Sequence, residues 1–148
     1  MHHYQLMPQA PPRDLGERTF EFACDVVNYC RDLSQEPGVV RHIAWQLAEA
    51  ATSAAAQYQE ARAAYSRKEF AAKNSGALKE LRESDLWLRV ILAGRIGSRD
   101  TPAALQNESN QLVAIFTASM RRLRPIAVVA KLFSLISSLL TSLLSSTF

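Results

Sequence analysis

The sequence predicts an all-α fold: an antiparallel up-and-down four-helix bundle with an extra C-terminal amphipathic helix. Three observations carry this. Apolar residues recur every three or four positions over four long stretches, and no segment alternates convincingly with period two. Proline is absent from the interior between about Val39 and Arg99, so long helices meet no breaker there. The connections are short and rich in turn residues, which makes antiparallel neighbours the default.

Residues 1–14 contain Pro8, Pro11 and Pro12 and read as a flexible N-terminal arm. From Leu15 to Leu33, Phe20, Ala23, Val26 or Val27, Cys30 and Leu33 form the apolar stripe of a first helix. "SQEPG" stops it at Pro37 and Gly38. A second helix over about 39–64 turns Val40, Ile43, Leu47, Ala50, Ala51, Ala54 and Tyr58 inward. Ser66 with Glu69 three residues on is a capping box that starts a third helix near Arg67, running to about Arg95. Its seam, Phe70, Asn74, Ala77, Leu81, Ser84, Leu88 and Ile91, alternates steps of four and three. "GRIGSRD" turns the chain, and Thr101 before Pro102 opens a fourth helix, because proline suits the first helical position. That helix carries Leu105, Leu112, Ile115 or Phe116, and Leu123, and ends at Arg124-Pro125, so the bundle covers 15–124.

With 148 residues, 48% apolar and 21% charged, the chain is one ordinary globular domain. The net charge of +3 is no nucleic-acid signature by itself, but its excess is C-terminal: residues 75–148 hold 9 basic and 5 acidic side chains. Cys24 and Cys30 lie six apart on one helix, about 120° from eclipsed, and should not pair. They read as small core-facing side chains, and two free thiols fit a reducing cytoplasm. "MHHYQLMPQAPPRD" lacks the basic-then-apolar layout of a signal peptide, so a cytoplasmic location is expected.

No chemistry announces itself. A di-iron site in a bundle needs a Glu-x-x-His on each of two helices, and only His42 falls in a helix, with no glutamate three before it. There is no glycine-rich phosphate loop and no Ser/His/Asp set. The expectation is a protein that is no enzyme and takes no cofactor or metal.

Three surfaces stand out. In "KELRESDLWLRVIL", Glu80, Glu83, Ser84 and Trp87 share one flank of the third helix. Arg82 to Asp85 and Asp85 to Arg89 have the spacing of ion pairs on a wet face, each worth about 0.2–0.5 kcal/mol. An aromatic at a polar boundary also suits an interface, so Glu80, Glu83 and Trp87, with Tyr58, are candidate oligomer contacts. "MRRLRP" puts Arg121, Arg122 and Arg124 in the last turn of the fourth helix. There they offset the helix dipole, or bind the phosphates of nucleic acid. "KLFSLISSLLTSLLSSTF" forms an amphipathic helix within 125–148, with leucines on one half and hydroxyls on the other. It docks on the bundle or on neighbouring copies, or, in a second reading, anchors a membrane-associated oligomer.

The stretches "RTFEFACDVVNYC", "QLAEAATSAAAQYQEA" and "SRKEFAAKNSGALKELRESDLWL" together resemble the small four-helix bundle family first met in intervening sequences of bacterial large-subunit ribosomal RNA genes. The resemblance covers about Arg18–Leu92. In the third helix Ser66, Glu69, Phe70, Lys73, Ala77, Leu78, Lys79, Glu80, Glu83, Trp87 and Leu88 fit its pattern; in the second, Gln46, Leu47, Thr52, Ser53, Ala56, Tyr58, Glu60 and Ala61 do. Leu86, Glu49, Ala55 and Gln57 depart from it, and glutamate at 49, where arginine is usual, weakens any basic surface on that helix. The resemblance implies a scaffold that assembles as a ring, typically a homopentamer, without catalysis. A branch similar in fold, the accessory variability determinant of diversity-generating retroelements, assists a reverse transcriptase by binding protein and nucleic acid. Expected partners are therefore other copies of the chain, RNA or DNA, or a reverse transcriptase.

Overall fold

A computed structural model describes residues 14–123 and 134–138. Four long helices follow one another: α1 Leu15–Leu33, α2 Val39–Arg62, α3 Arg67–Ala93 and α4 Asp100–Leu123. Residues 134–138 form a short helical segment. Among the described residues there is no strand. The four-helix bundle that the periodicity predicts is present.

Two of the helices, α1 and α3, begin at a side chain that satisfies one of their first amides. Asp14 accepts from the Gly16 amide at 3.0 Å and caps α1. Before α2, Gly38 has φ +72°, a conformation that only glycine adopts without strain, so the chain reverses there. Half of the expected capping box opens α3: the Glu69 amide donates to Ser66 Oγ at 3.1 Å, while the Glu69 carboxylate accepts at 3.0 Å from the amide of Tyr65, one residue before the cap. Pro102 sits in the first turn of α4 and is buried.

Contacts join α1 to α2, α2 to α3, α3 to α4 and, least extensively, α1 to α4. The helices thus stand at the corners of a square, with α1 diagonal to α3. All neighbours run antiparallel. Asp14 at the start of α1 pairs with Arg62 at the end of α2 at 3.0 Å, and Lys73 pairs with Glu60 across α3 and α2. Arg67 at the start of α3 donates to the Arg122 carbonyl near the end of α4 at 3.3 Å.

The core is one continuous cluster along the axis, built on Phe22, Val26, Leu47, Leu81, Leu88, Ile91, Leu112 and Phe116. The seam expected for α3 is buried at Asn74, Ala77, Leu81, Ser84, Leu88 and Ile91, with Phe70 half-buried. Two buried hydroxyls are satisfied by backbone: Ser84 donates to the Glu80 carbonyl at 3.0 Å and Ser109 to the Leu81 carbonyl at 3.3 Å. Asn74, fully buried, has no hydrogen-bond partner at either amide atom. A polar side chain at a seam position penalises other registers at some cost in stability.

Two expectations for α1 fail. Phe20 is 52% exposed and lies outside the core; Thr19, Phe22, Ala23, Val26, Cys30 and Leu33 are the buried set. Phe20 and Phe22 are about 200° apart on a helix, so only one can face inward. Cys24 is likewise exposed, not core-facing, while Cys30 is buried, and both thiols are free. On α4, Phe116 rather than Ile115 takes the core position.

Candidate functional site

The basic residues of α4 gather at one end of the bundle. Arg121 and Arg122 are exposed in its last turn, where they offset the dipole. Because the chain alternates direction, the start of α3 lies at the same end, bringing exposed Arg67 and Lys68 beside them. The Arg67–Arg122 contact satisfies one carbonyl that α4 leaves open. Glu69, the acid of that α3 turn, is engaged with the Tyr65 amide. Arg62, also at this end, is paired with Asp14. Arg124, the third arginine singled out by sequence, lies outside the described residues, as does the arm 1–13. Arg67 and Lys68 were missed as partners of the cluster because only the antiparallel register places them there.

The proposed oligomer contacts do not form one patch. Gln57 lies against Gly76, and Glu60 pairs with Lys73. This register sets Tyr58 level with Ser75, and Trp87 level with Gln46. Trp87 is therefore about 18 Å along the bundle from Tyr58 at 1.5 Å per residue. Tyr58 turns inward, as its place on the second-helix stripe predicts, meeting the Phe116 ring edge-on with centroids 4.8 Å apart, and burial raises its phenol pKa. Glu80, Glu83 and Trp87 do lie on one flank, all half-buried. The Trp87 indole donates to Glu83 Oε1 at 3.4 Å, one turn back, while its ring packs on the core. Of the wet-face ion pairs expected with Arg82 and Arg89, neither forms: Asp85 is half-buried and its Oδ1 is enclosed without a partner.

Two grooves flank α1. Between α1 and α4 lies a polar cleft of about 610 Å³, lined by Glu21, Asp25, Asp32, Tyr29, Thr101 and Glu108 among others. Arg18 bridges it with a two-pronged contact to Glu108, whose second prong is 2.9 Å, and a bond to Gln111 at 2.7 Å. That hydrogen bonding raises the Arg18 pKa further. Between α1 and α2 lies an apolar groove of about 510 Å³ along Phe20, Cys24, Val27, Thr52, Ala55 and Ala56. It continues under Trp45, 65% exposed, toward Ala44 and Ala48. The sequence held a signal for it: Phe20, Cys24 and Val27 are spaced i, i+4, i+7, a second apolar stripe beside the core one.

Among the described residues no group of three or more His, Cys, Asp or Glu is placed to hold a metal ion, and no helix is long and apolar enough to cross a membrane. Burial pushes the Cys30 thiol up to about 12, so it is no nucleophile near neutral pH.

Comparison with known proteins agrees with this architecture. A family model described as the 23S rRNA-intervening sequence protein matches residues 14–118. A solved crystal structure, a protein with unknown function from the S23 ribosomal protein family of Bacteroides thetaiotaomicron, is 27% identical. The match covers 72% of this chain and 98% of that one, with a TM-score of 0.66. Among curated proteins none matches.

Proposed function

This chain belongs to the 23S rRNA-intervening sequence protein family, and we propose that it is a non-enzymatic, homo-oligomeric helical scaffold whose basic end binds nucleic acid. The observation that supports this most is the convergence of Arg67, Lys68, Arg121 and Arg122, all exposed, from two helices onto one end of the bundle. Cations on packed helices are held in a fixed array, which suits the regular spacing of phosphates. In a ring of copies, as in the homopentamer that the family resemblance suggests, the array repeats around one rim. The half-buried Glu80, Glu83 and Trp87 flank of α3 is the proposed contact between copies. Cytoplasmic nucleic acid, or a nucleic-acid enzyme such as a reverse transcriptase, is the partner this rim would meet.

Labelled single-stranded RNA titrated against the full chain at several salt concentrations tests the reading. Four cations per protomer predict a log–log salt slope near about −3 for each protomer engaged. The double variant R121E/R122E should lose most binding without changing the helical signal. Binding that ignores salt, or survives the charge reversal, would overturn the nucleic-acid role. Light scattering of the full chain tests assembly; a monomer at micromolar concentration would remove the ring.

A further inference from the structure

The outer side of α1 carries a second seam, distinct from the one that meets the core. Glu17, Phe20, Cys24, Val27 and Arg31 follow one another in alternating steps of three and four, the spacing that lets two helices interlock along one face. All five are exposed, Phe20 at 52% and Val27 at 43%. Beside them α2 presents a floor of Ala48, Thr52, Ala55 and Ala56, with exposed Trp45 at the end nearest Arg31. The groove around Phe20, Cys24 and Val27 is lined by no charged side chain. The described part of the C-terminal helix, 134–138, is exposed throughout and does not cover this face; the rest of that helix lies outside the described residues.

We propose that this face docks a second copy of the chain, α1 against α1 in antiparallel sense about a two-fold axis beside Cys24, so that each copy's α1 covers the other's α1–α2 groove. This pair forms on a face other than the α3 flank and does not depend on a ring.

Charge complementarity selects this occupant. The apolar stretch is bounded by an acid at one end and a base at the other: Glu17 and Arg31 each lie seven residues, about 10 Å, from Cys24. A face patterned in this way is complementary to its own reverse. Turning a copy end for end places Glu17 opposite Arg31 at both ends of the contact and Phe20 beside Val27 and Asn28. A parallel copy would set Glu17 against Glu17 and Arg31 against Arg31, which repel. The Arg31 contact with the adjacent Asp32 is long at 3.5 Å and largely exposed, so its guanidinium is free to turn to a carboxylate across the interface. Glu21, Asp25 and Asp32 line the α1–α4 cleft on the other flank of α1, while Arg41, which donates to the Ser34 carbonyl at 3.1 Å, adds to the basic end. Shape agrees as well. Across the groove Phe20 is level with Gln59 and Cys30 with Ala48, so Phe20 of the second copy, opposite Asn28, comes over Thr52 and its alanine neighbours, whose small side chains leave room for the ring.

The seam already holds a reporter: Cys24 is exposed beside the axis, where it meets its own copy, whereas Cys30 is buried and its thiol is held protonated. The full chain is treated with a short bismaleimide at protein concentrations rising to about 100 μM, because a contact of one helix per copy lies at the small end of interface sizes. Products are separated on denaturing gels and mapped by mass. The expected product is a dimer linked from Cys24 to Cys24. With Cys24→Ser as background, Gln35→Cys puts a thiol eleven residues from the axis on the same exposed line, and an antiparallel pair keeps its two copies about 33 Å apart. That link should be about tenfold weaker than the Cys24 link. Arg31→Glu places like charges at both ends of the contact and should cut the Cys24 link about fivefold, and adding Glu17→Arg should restore it. Both reversals oppose the helix dipole, so an effect on folding alone would worsen in the double variant, and far-UV circular dichroism follows it. No Cys24 link at any concentration, equal yields from Cys24 and from Gln35→Cys, or a double variant that links no better than Arg31→Glu would overturn the proposal.

Discussion

Helices α1 and α3 occupy diagonal corners of the same bundle, yet they are held in different ways. α3 is closed in on both sides. Ala50, Ala51 and Ala54 of α2 and Ala77 of α3 are buried, and Gly76 lies so near Gln57 that even a Cβ there would displace the Gln57 amide. Small side chains let these two helices approach closely. α1 has the polar cleft on one flank and the apolar groove on the other, and it touches α4 least of all neighbouring pairs. The rigid half of the bundle is thus α2–α3, and the half with room for partners borders α1. Amide exchange should reflect this, since segments with fewer apolar contacts open at lower cost.

The largest test of the contrast is to add bulk at both places. Ala77→Leu pushes extra methylenes into a fully buried seam position and should cost about 1–3 kcal/mol in urea unfolding. Ala104→Leu adds the same group on α4 beside the α1–α4 cleft and should be within about 0.5 kcal/mol of the parent. Similar losses at both positions would mean that the cleft collapses in solution.

Next comes alkaline pH, which acts on α1 through Cys30. Its thiol is raised to about 12 by burial, against an ordinary value near 8.5 in the unfolded chain. The folded state keeps a proton that the unfolded state releases, so this contribution is complete below about pH 8.5 and is lost progressively toward about 12. Burial raises Tyr29 and Tyr58 as well, which act in the same direction. Urea midpoints should therefore fall as pH rises from 8 to 10.5, and Cys30→Ala should flatten part of that fall. Over the same range Cys24 should react with a thiol reagent in the folded protein, and Cys30 only after unfolding.

A smaller effect is expected where Arg18 spans the cleft. Its side chain is 22% exposed and that of Glu108 32%, which places the pair between a surface and a buried bridge. Arg18→Met keeps much of the aliphatic stem but leaves Glu108 without its cation. The expected loss is about 1 kcal/mol, shrinking as salt is raised. If α1 is held as loosely as the two grooves suggest, exchange should rise along α1 and α4 but not along α3.

The contrast also explains what the sequence could reveal. The α3 seam was legible because one apolar stripe, flanked by charge, admits one inward face. α1 has two stripes, one through Phe22 and Val26 and one through Phe20, Cys24 and Val27, and spacing alone does not say which faces the core. For the same reason the groove went unread, since it depends on the separation of two helices. The separation of about 18 Å between Tyr58 and Trp87 could not be read either, because a helical wheel carries no information on register between helices. The Arg121 and Arg122 cluster was visible as a run, whereas Arg67 and Lys68 joined it only through antiparallel packing. Asp85 has ideal pair spacing to Arg82 and Arg89, but one of its carboxylate oxygens is enclosed.

The smallest effect lies at the C-terminus of α3, where the tight half of the bundle contains a local strain. The Ile96 amide donates to the Ile91 carbonyl at 3.0 Å and the Arg95 amide to that of Leu92 at 3.3 Å, the paired closure of a Schellman motif. Ile96 then packs on the core, fixing the turn into α4. The motif needs a left-handed residue at its penultimate position, and here that residue is Arg95, with φ 56°, while Gly94 just before it is right-handed. Left-handed backbone costs a non-glycine residue about 1–2 kcal/mol, part of which glycine returns through the greater freedom of its unfolded chain. Arg95→Gly should therefore stabilise the protein by about 0.5–1 kcal/mol, read as a rise of a few degrees in Tm. No gain would mean that the turn relaxes away from this geometry. α3 would then be less firmly terminated than its seam is packed.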